Sequence, residues 1–347
     1  MNQIRTLIIT LGLASFGLGA CGSDGDSAPK NVLPANTVGD GGVIAPTMFD
    51  SLPAVAQGVA IPATGYLVQE VRDGLYWLSD GIYSCMFLST GAGVIVVDAP
   101  QTIAPNLLQA IASVTSEPVN YVIYSHHHAD HIGGAGVLPK TATYIAQEET
   151  AALLQRENDP SRPVPRVTFT DTYTLNVGSQ TLTLDYHGPN HDVGNIFIYA
   201  PKQKVLMLVD VVWPGWAPFD ELGTPADIKG YLAAHDEMLG YDFDTLIAGH
   251  VNRLGTKADV MTDLQYLTDL EANAGAALQA FDVGSVGMKL SDPANVWAYA
   301  AGLLDGWPER CVIDTLAQWR GRLGAVDVFA RANCTAMQSA LRAGDLP

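Results

Sequence analysis

His126-His127-His128-Ala129-Asp130-His131 is one unbroken run, and its six residues contain four of the chain's eight histidines. Neutral imidazole and ionised carboxylate are the ligands that borderline divalent ions such as zinc prefer. A short loop that supplies both kinds points to metal chemistry. In extended backbone alternate side chains share a face, so His126, His128 and Asp130 point one way and His127 and Ala129 the other, which makes His127 the poorest ligand of the run. Gly133 and Gly134 then permit a sharp turn into a helix, bringing His131, out of phase with its neighbours, back toward the same cavity.

Upstream of the run the pattern is a meander of short β segments punctuated by turn signals: Leu67 to Val71, Leu75 to Leu78, Tyr83 to Ser89 and Val94 to Val97. Helical periodicity follows from Ile103 to Val114, and an apolar strand, Val119 to Tyr124, delivers the chain into the histidines. A strand (Thr143 to Ala146), a helix (Glu148 to Arg156) and a proline-rich connection (Pro160 to Pro165) come next. The second half repeats the mixture, with strands at Tyr173 to Leu175, Thr181 to Tyr186, Asn195 to Ala200, Val205 to Val209 and Thr245 to Ala248, and a helix at Ala226 to Leu239. Two β-rich halves with interspersed helices predict an α/β (α+β) fold of two sheets packed face to face with helices outside. Three further candidate ligands each sit just past a strand, where loops from a rigid sheet converge: His191, Asp210 and His250.

This order, His-x-His-x-Asp-His and then His, Asp and His, resembles the metallo-β-lactamase superfamily over about residues 66 to 255. The resemblance implies a four-layer αββα sandwich with a dinuclear metal centre at one edge, here followed by a C-terminal helical extension. Carried to matching positions, His126, His128 and His191 would hold one ion, Asp130, His131 and His250 the other, and Asp210 would bridge both. The ions would be two divalent metals, zinc first, with iron or manganese also accommodated. Two such ions about 3.5 to 4 Å apart share a water that ionises near neutral pH; the hydroxide attacks a carbonyl carbon while the ions polarise the carbonyl and stabilise the leaving group, with no covalent protein intermediate. Asp130 would bind metal and also orient the nucleophile or pass its proton on. Asp98 matches the family's first acidic motif, and either orients a ligand histidine or caps the next helix. His187 ends a strand and His235 lies in a helical pattern, so both read as structural or surface histidines.

β-Lactamases of this fold commonly have cysteine, or no acidic ligand, where Asp210 stands, whereas Asp210 is similar to the glyoxalase II, lactonase and esterase branches. Glyoxalase II holds glutathione with basic groups of a C-terminal helical region, and the segment after His250 is helical in pattern but sparse in Lys and Arg. Trp213, Trp216 and Phe219 follow Asp210 closely, and either wall the cleft for an apolar or ring-bearing small molecule or pack a proline-rich loop onto the sheet. The leading expectation is an exported zinc hydrolase of esters, lactones or related carbonyl compounds. The rivals are a β-lactamase, an iron protein like the family's persulfide dioxygenases, and a non-catalytic metal-binding envelope protein.

A formal net charge of -18, with no basic stripe, argues against nucleic-acid binding. Arg5 followed by the apolar stretch Leu7 to Ala20 reads as an export signal over residues 1–20, too short to span a bilayer. Leu18-Gly19-Ala20-Cys21 resembles a bacterial lipoprotein cleavage box, the alternative being an ordinary secretory peptide with an incidental cysteine; a lipid on Cys21 would be the only membrane attachment of a periplasmic or envelope protein. Residues 21–60, rich in Gly, Asp, Ser, Pro and Ala, read as a flexible tether, 61–255 as the metal-binding domain and 256–347 as the helical region, whose apolar faces serve a core or an oligomer interface equally well. An oxidising compartment favours pairing Cys311 with Cys334 across a helical hairpin, leaving Cys85 as a buried inert thiol in a strand.

Overall fold

The computed structural model describes residues 49–292 and 294–346. The expected export signal and the Cys21 lipidation site lie outside the described residues, as does the tether up to residue 48. Fourteen of the elements build a first half: β1 (Leu67–Arg72), β2 (Leu75–Ser79), β3 (Ser84–Ser89), β4 (Val94–Val97), α1 (Ala104–Ala112), β5 (Val119–Ile123), α2 (Ala129–Ile132), β6 (Thr143–Gln147), α3 (Glu148–Glu157), β7 (Val167–Phe169), β8 (Thr172–Val177), β9 (Gln180–Asp185), β10 (Phe197–Ala200) and β11 (Val205–Met207). The rest are the turn α4 (Asp220–Gly223), α5 (Ile228–Gly240), β12 (Thr245–Ile247), α6 (Lys257–Ala280), the short α7 (Gly284–Gly287), α8 (Val296–Trp319) and α9 (Val326–Ala343).

The strands form two sheets, one in the order β1-β2-β3-β4-β5-β6-β7 and one in the order β12-β11-β10-β9-β8. The meander β1 to β4 is antiparallel, and β4 to β7 pair in parallel. Side-chain alternation explains why several strands are apolar throughout. On β4, Ile95 and Val97 enter the core between the sheets, while Val94 and Val96 enter the core under α1 and its neighbours. On β3, Met86 and Leu88 divide from Cys85 and Phe87 in the same way, so Cys85 is a fully buried free thiol. In the second sheet Val205 and Met207 face the first sheet, and Leu206 faces the outer helices. The result is a four-layer αββα sandwich.

The C-terminal helices continue the outermost layer. Tyr266, Leu267 and Leu270 of α6, Trp319 of α8 and Met337 of α9 share one buried cluster with Phe197, Leu206 and Leu246 of the second sheet. Cys311 and Cys334 are disulfide-bonded, joining α8 to α9. A single helix α8 runs from Val296 to Trp319 through Pro308. Strand β7 was not foreseen: three residues directly after a proline-rich connection carry too little alternation to be read. In residues 49–60, the end of the expected tether, most side chains are exposed, while Ala56 is fully buried and the Val59 N–H bonds to Asn252 O at 2.9 Å. Among the described residues no helix is long and apolar enough to cross a membrane.

Candidate metal centre

The sheets deliver the candidate ligands to one edge. His126 follows β5 and is fully buried, and Asp210 and His250 follow β11 and β12. The extended phase expected for the whole run stops at His128, which has φ -62° and ψ 139° and stands as the N-cap of α2. Helix therefore begins inside the run, ahead of the two glycines. The physical consequence is a split. His126 and His128 leave the extended segment toward His191, whereas Asp130 and His131, now on a helical turn, face His250. Ligand atoms of His126, His128, His191 and Asp210 lie within metal-binding reach of one another, as do those of Asp130, His131, Asp210 and His250.

Asp210 is common to both groups. Its Oδ2 lies 3.0 Å from His131 Nε2, 3.2 Å from His191 Nε2 and 3.7 Å from His126 Nε2, and its Oδ1 lies 3.2 Å from His250 Nε2. His191 Nε2 is 3.0 Å from His128 Nδ1, and His131 Nε2 is 3.1 Å from His250 Nε2. Gly249, at φ +83°, permits this approach, since a Cβ there would stand 2.5 Å from Val209 Cγ1 and 3.1 Å from His131 Cε1. Asp210 itself holds a left-handed φ of 62°, a strained backbone for a residue bearing Cβ.

These residues suit a divalent ion. Buried His126 Nε2 points into the cluster with no hydrogen-bond partner, an orphan that an ion would satisfy. Burial drives the His126 imidazole well below its usual pKa, and the neighbouring imidazoles His128, His131 and His191 add to this. Burial, with His191 beside it, likewise pushes His128 down to about 4. Both rings are thus neutral, the form that binds metal. Against burial, which would raise it, His131, His250 and His191 hold Asp210 well below the ordinary carboxylate range; Asp130 is held low against burial by hydrogen bonds from His131 and His250. The opening to solvent lies on the second group, where the Asp130 side chain is 41% exposed.

Among the supporting residues, Asp98 is expected from the sequence, whereas Tyr83 and Asp192 are not. Asp98 Oδ1 accepts the Ser125 N–H at 2.8 Å, and Ser125 Oγ lies 3.0 Å from His126 Nδ1, so Asp98 reaches a candidate ligand through Ser125. It does not cap α1, whose N-cap is Ile103. Burial raises Asp98 to about 6 despite the His131 charge and the Ser125 hydrogen bonds. Tyr83 packs its ring 4.8 Å from His250 and 5.8 Å from His131, and a β-bridge joins the two backbones. Burial pushes its phenol up to about 12, reinforced by Asp130 and Asp210. His127 turns away to Asp192, with Nδ1 2.7 Å from Oδ2, and with His128 and Asp192 makes a third group within ligand reach.

Of the aromatic residues after Asp210, two pack into the outer core and one is exposed. Trp213 is buried in the outer core with its ring against Gly223, and Trp216 packs on the same core beside Gly324. Phe219 is 56% exposed and meets Phe329 of α9 at 5.1 Å. His235 is buried, bonded to Asp263 Oδ2 at 3.0 Å, and His187 Nε2 lies 3.0 Å from Tyr241 OH, both structural positions.

The sandwich and its edge cluster define a class. The model described as the metallo-beta-lactamase superfamily matches residues 78–250, and the chain belongs to that superfamily, whose members are mostly hydrolases or related enzymes. A relative, the 2,4-dinitroanisole O-demethylase subunit alpha of Nocardioides sp. (strain JS1661), is 26% identical over 256 residues, covering 70% of this chain and 75% of its own length. The type 2 metallo-beta-lactamase of Elizabethkingia meningoseptica is 26% identical over 145 residues, covering 41% of this chain and 55% of its own. The solved metallo-beta-lactamase from Pontibacter korlensis shares the fold with a TM-score of 0.52 at 23% identity, covering 58% of this chain and 97% of that one.

Proposed function

We propose that the protein is an exported, dinuclear metal-dependent hydrolase of small, uncharged ester, lactone or related carbonyl substrates. The observation that carries this reading is the convergence of two ligand groups on a shared Asp210, with one group open to solvent. In the proposal His126, His128 and His191 would hold one ion and Asp130, His131 and His250 the second, with Asp210, common to both groups, available to each. Bound there, a pair of divalent ions, zinc first and iron or manganese next, supplies a water that ionises near neutral pH and polarises the bond to be cleaved. Asp130, half in solvent with Oδ2 3.3 Å from His131 Nε2 and 3.6 Å from His250 Nε2, orients the nucleophile and carries its proton to the leaving group. The Tyr83 ring packs against His250, with ring centroids 4.8 Å apart. A net charge of -18 disfavours anionic substrates at long range.

A second reading has a specific observation in its favour. The similarity to the O-demethylase subunit extends over 256 aligned residues, well past the 78–250 segment that defines the superfamily. The same site would then remove an alkyl group from an activated aryl ether. Export, with Cys21 lipidated, is supported by the Leu7 to Ala20 stretch and checked by a mass spectrum of the mature N-terminus.

Metal analysis of protein purified from its own host, with turnover of an aryl ester, a lactone, 2,4-dinitroanisole and nitrocefin, tests the proposal. The expected result is two metals per chain and ester or lactone turnover, reduced about 100- to 10,000-fold in Asp130→Ala. Full activity in Asp130→Ala refutes the assignment. Nitrocefin as the sole substrate would move the reading to a β-lactamase, and oxygen uptake by an iron-loaded protein would move it to the redox class.

A further inference from the structure

His127 lies outside both groups around Asp210, yet its contacts join the two segments that supply the three histidines of the first. His126 and His128 flank it directly in the chain. Its ring Nδ1 lies 2.7 Å from Asp192 Oδ2, and the same oxygen accepts the His127 backbone N–H at 3.3 Å. Since a carboxylate only accepts, Nδ1 carries the proton. Asp192 is the residue next to His191, in a stretch from Tyr186 to Ile196 that has no helix or strand of its own. The side chain of Asp192 is 5% exposed, so this is a desolvated, charge-assisted contact rather than a surface pair. The other side of His127 is also held. Arg162 donates from NH1 to the His127 carbonyl at 2.8 Å and pairs through NH2 with Glu157 Oε2 at 2.7 Å, and Glu157 Oε1 stands 3.8 Å from His127 Nε2.

We propose that His127, through its hydrogen bond to Asp192, is the positioning residue that fixes His126 and His128 against His191 and so sets metal affinity in that half of the centre. The inference rests on the metal-centre reading above. His127 touches no reacting atom; it joins two loops whose ligands are 63 residues apart in the chain, as the His191–His128 separation records. Beside that bond, the His191 loop meets the histidine run through the Ile196 N–H to Ser125 O at 3.1 Å and the His191–His128 ring contact at 3.0 Å. The second group, from α2, β11 and β12, shares only Asp210 with the first and is untouched by the clamp.

The test is a zinc titration of chelator-treated full-length protein in competition with a metal-binding dye, run beside thermal unfolding of the metal-free form. Wild type is expected to bind two equivalents. His127→Leu should weaken one equivalent about 10- to 100-fold and leave the other within about threefold, the range found when an outer hydrogen-bond partner of a ligand is lost. His127→Asn, whose amide nitrogen can take the place of Nδ1, should restore most of the loss. Asp192→Leu, which leaves no acceptor for Nδ1, should reproduce the loss, and adding it to His127→Leu should cost little more, because both break one contact. Two unweakened equivalents in His127→Leu overturn the inference and leave the metal centre standing. Equal weakening of both equivalents, with a matching drop in the metal-free unfolding temperature of both His127 variants, shows a merely structural residue and overturns it too. A third equivalent in wild type, lost in His127→Leu, makes His127 a ligand with His128 and Asp192. No zinc uptake by wild type removes the metal-centre reading itself.

Discussion

Replacing Asn333 with leucine should destabilise the protein by about 4 kcal/mol, and the reason lies in the loop that follows Asp210. Asn333 is fully buried on α9; its Oδ1 accepts the Leu222 N–H at 2.9 Å, and its Nδ2 donates to Pro218 O at 3.0 Å and to Tyr266 OH at 3.4 Å. The loop it holds is strained. Glu221, Leu222 and Thr224 have φ of 53°, 62° and 53°, and Gly223 has 71°, so α4 turns with left-handed backbone. Such backbone costs roughly 1–2 kcal/mol for each residue with a Cβ, or about 3–6 kcal/mol for these three. Burial of Leu222 and the Asn333 hydrogen bonds offset that cost. Leucine is similar in volume but leaves a buried N–H and a buried C=O unpartnered, at roughly 1–3 kcal/mol each. For a unit of roughly 300 residues the expected 4 kcal/mol lowers the melting temperature by about 6 °C. Circular-dichroism melts and urea titrations of wild type, Asn333→Leu and Asn333→Asp would measure this. Aspartate keeps the acceptor for Leu222 N–H but loses the donor and buries a charge, so it should also destabilise. A loss below about 1 kcal/mol in Asn333→Leu would mean that the loop finds other partners and that α9 does not restrain it.

Three further outcomes follow from other parts of the structure. Replacing Cys311 and Cys334 together with alanine should cost about 3 kcal/mol, from the chain entropy released when a loop of 23 residues is no longer closed, and would be read by urea denaturation with and without reductant. Glu117 is raised by burial but lowered more by its hydrogen bonds from Ser89 Oγ and the N–H groups of Thr90, Gly91 and Gly93, and lies net below its ordinary 4.5. Its contribution is therefore full above pH 4.5 and is lost as pH falls through the depressed value; Glu117→Gln should cost about 2 kcal/mol at pH 7 and flatten the acid limb of a stability-against-pH curve. Stripping metal with a chelator should lower stability by about 2.7 kcal/mol for each site that was bathed in a hundredfold excess over its Kd, and calorimetric melts at several free zinc concentrations would check it.

Much of this architecture was legible in the sequence because its signals are local. Val94 to Val97 announces a strand covered on both faces, and the histidine run with His191, Asp210 and His250 announces a ligand set, each visible within a few residues. What escaped reading depends on distant partners. The helix inside the run starts at Ala129 although His128 makes no side-chain capping bond, so no capping signal marked it, and the two glycines suggested a later start. Tyr83 meets the site only because its backbone bridges to His250, and Asp192 only because His127 reaches it across 65 residues. Trp213 has the composition of a cleft wall, but α6, α8 and α9 cover the outer sheet face and turn it into core.

The arrangement also explains why the ligands come from both halves of the chain. His126 and the α2 residues emerge from the first sheet through β5, whereas Asp210 and His250 emerge from the second through β11 and β12. The two sheets are held together elsewhere by a non-directional apolar core, which fixes their separation but not the placement of side chains at the edge to a few tenths of an ångström. Directional contacts must do that. Ser84 N–H to Gly249 O at 2.7 Å and Asn195 Nδ2 to Val209 O at 2.9 Å lie at this edge, beside the candidate ligands. The backbone is left-handed at Asp210, after β11, and at Gly249, after β12, the residue just before His250. Asp210 can then face imidazoles from the first sheet and from the second at once. A carboxylate placed in this way joins the halves, and it carries one of the strained backbones of the fold.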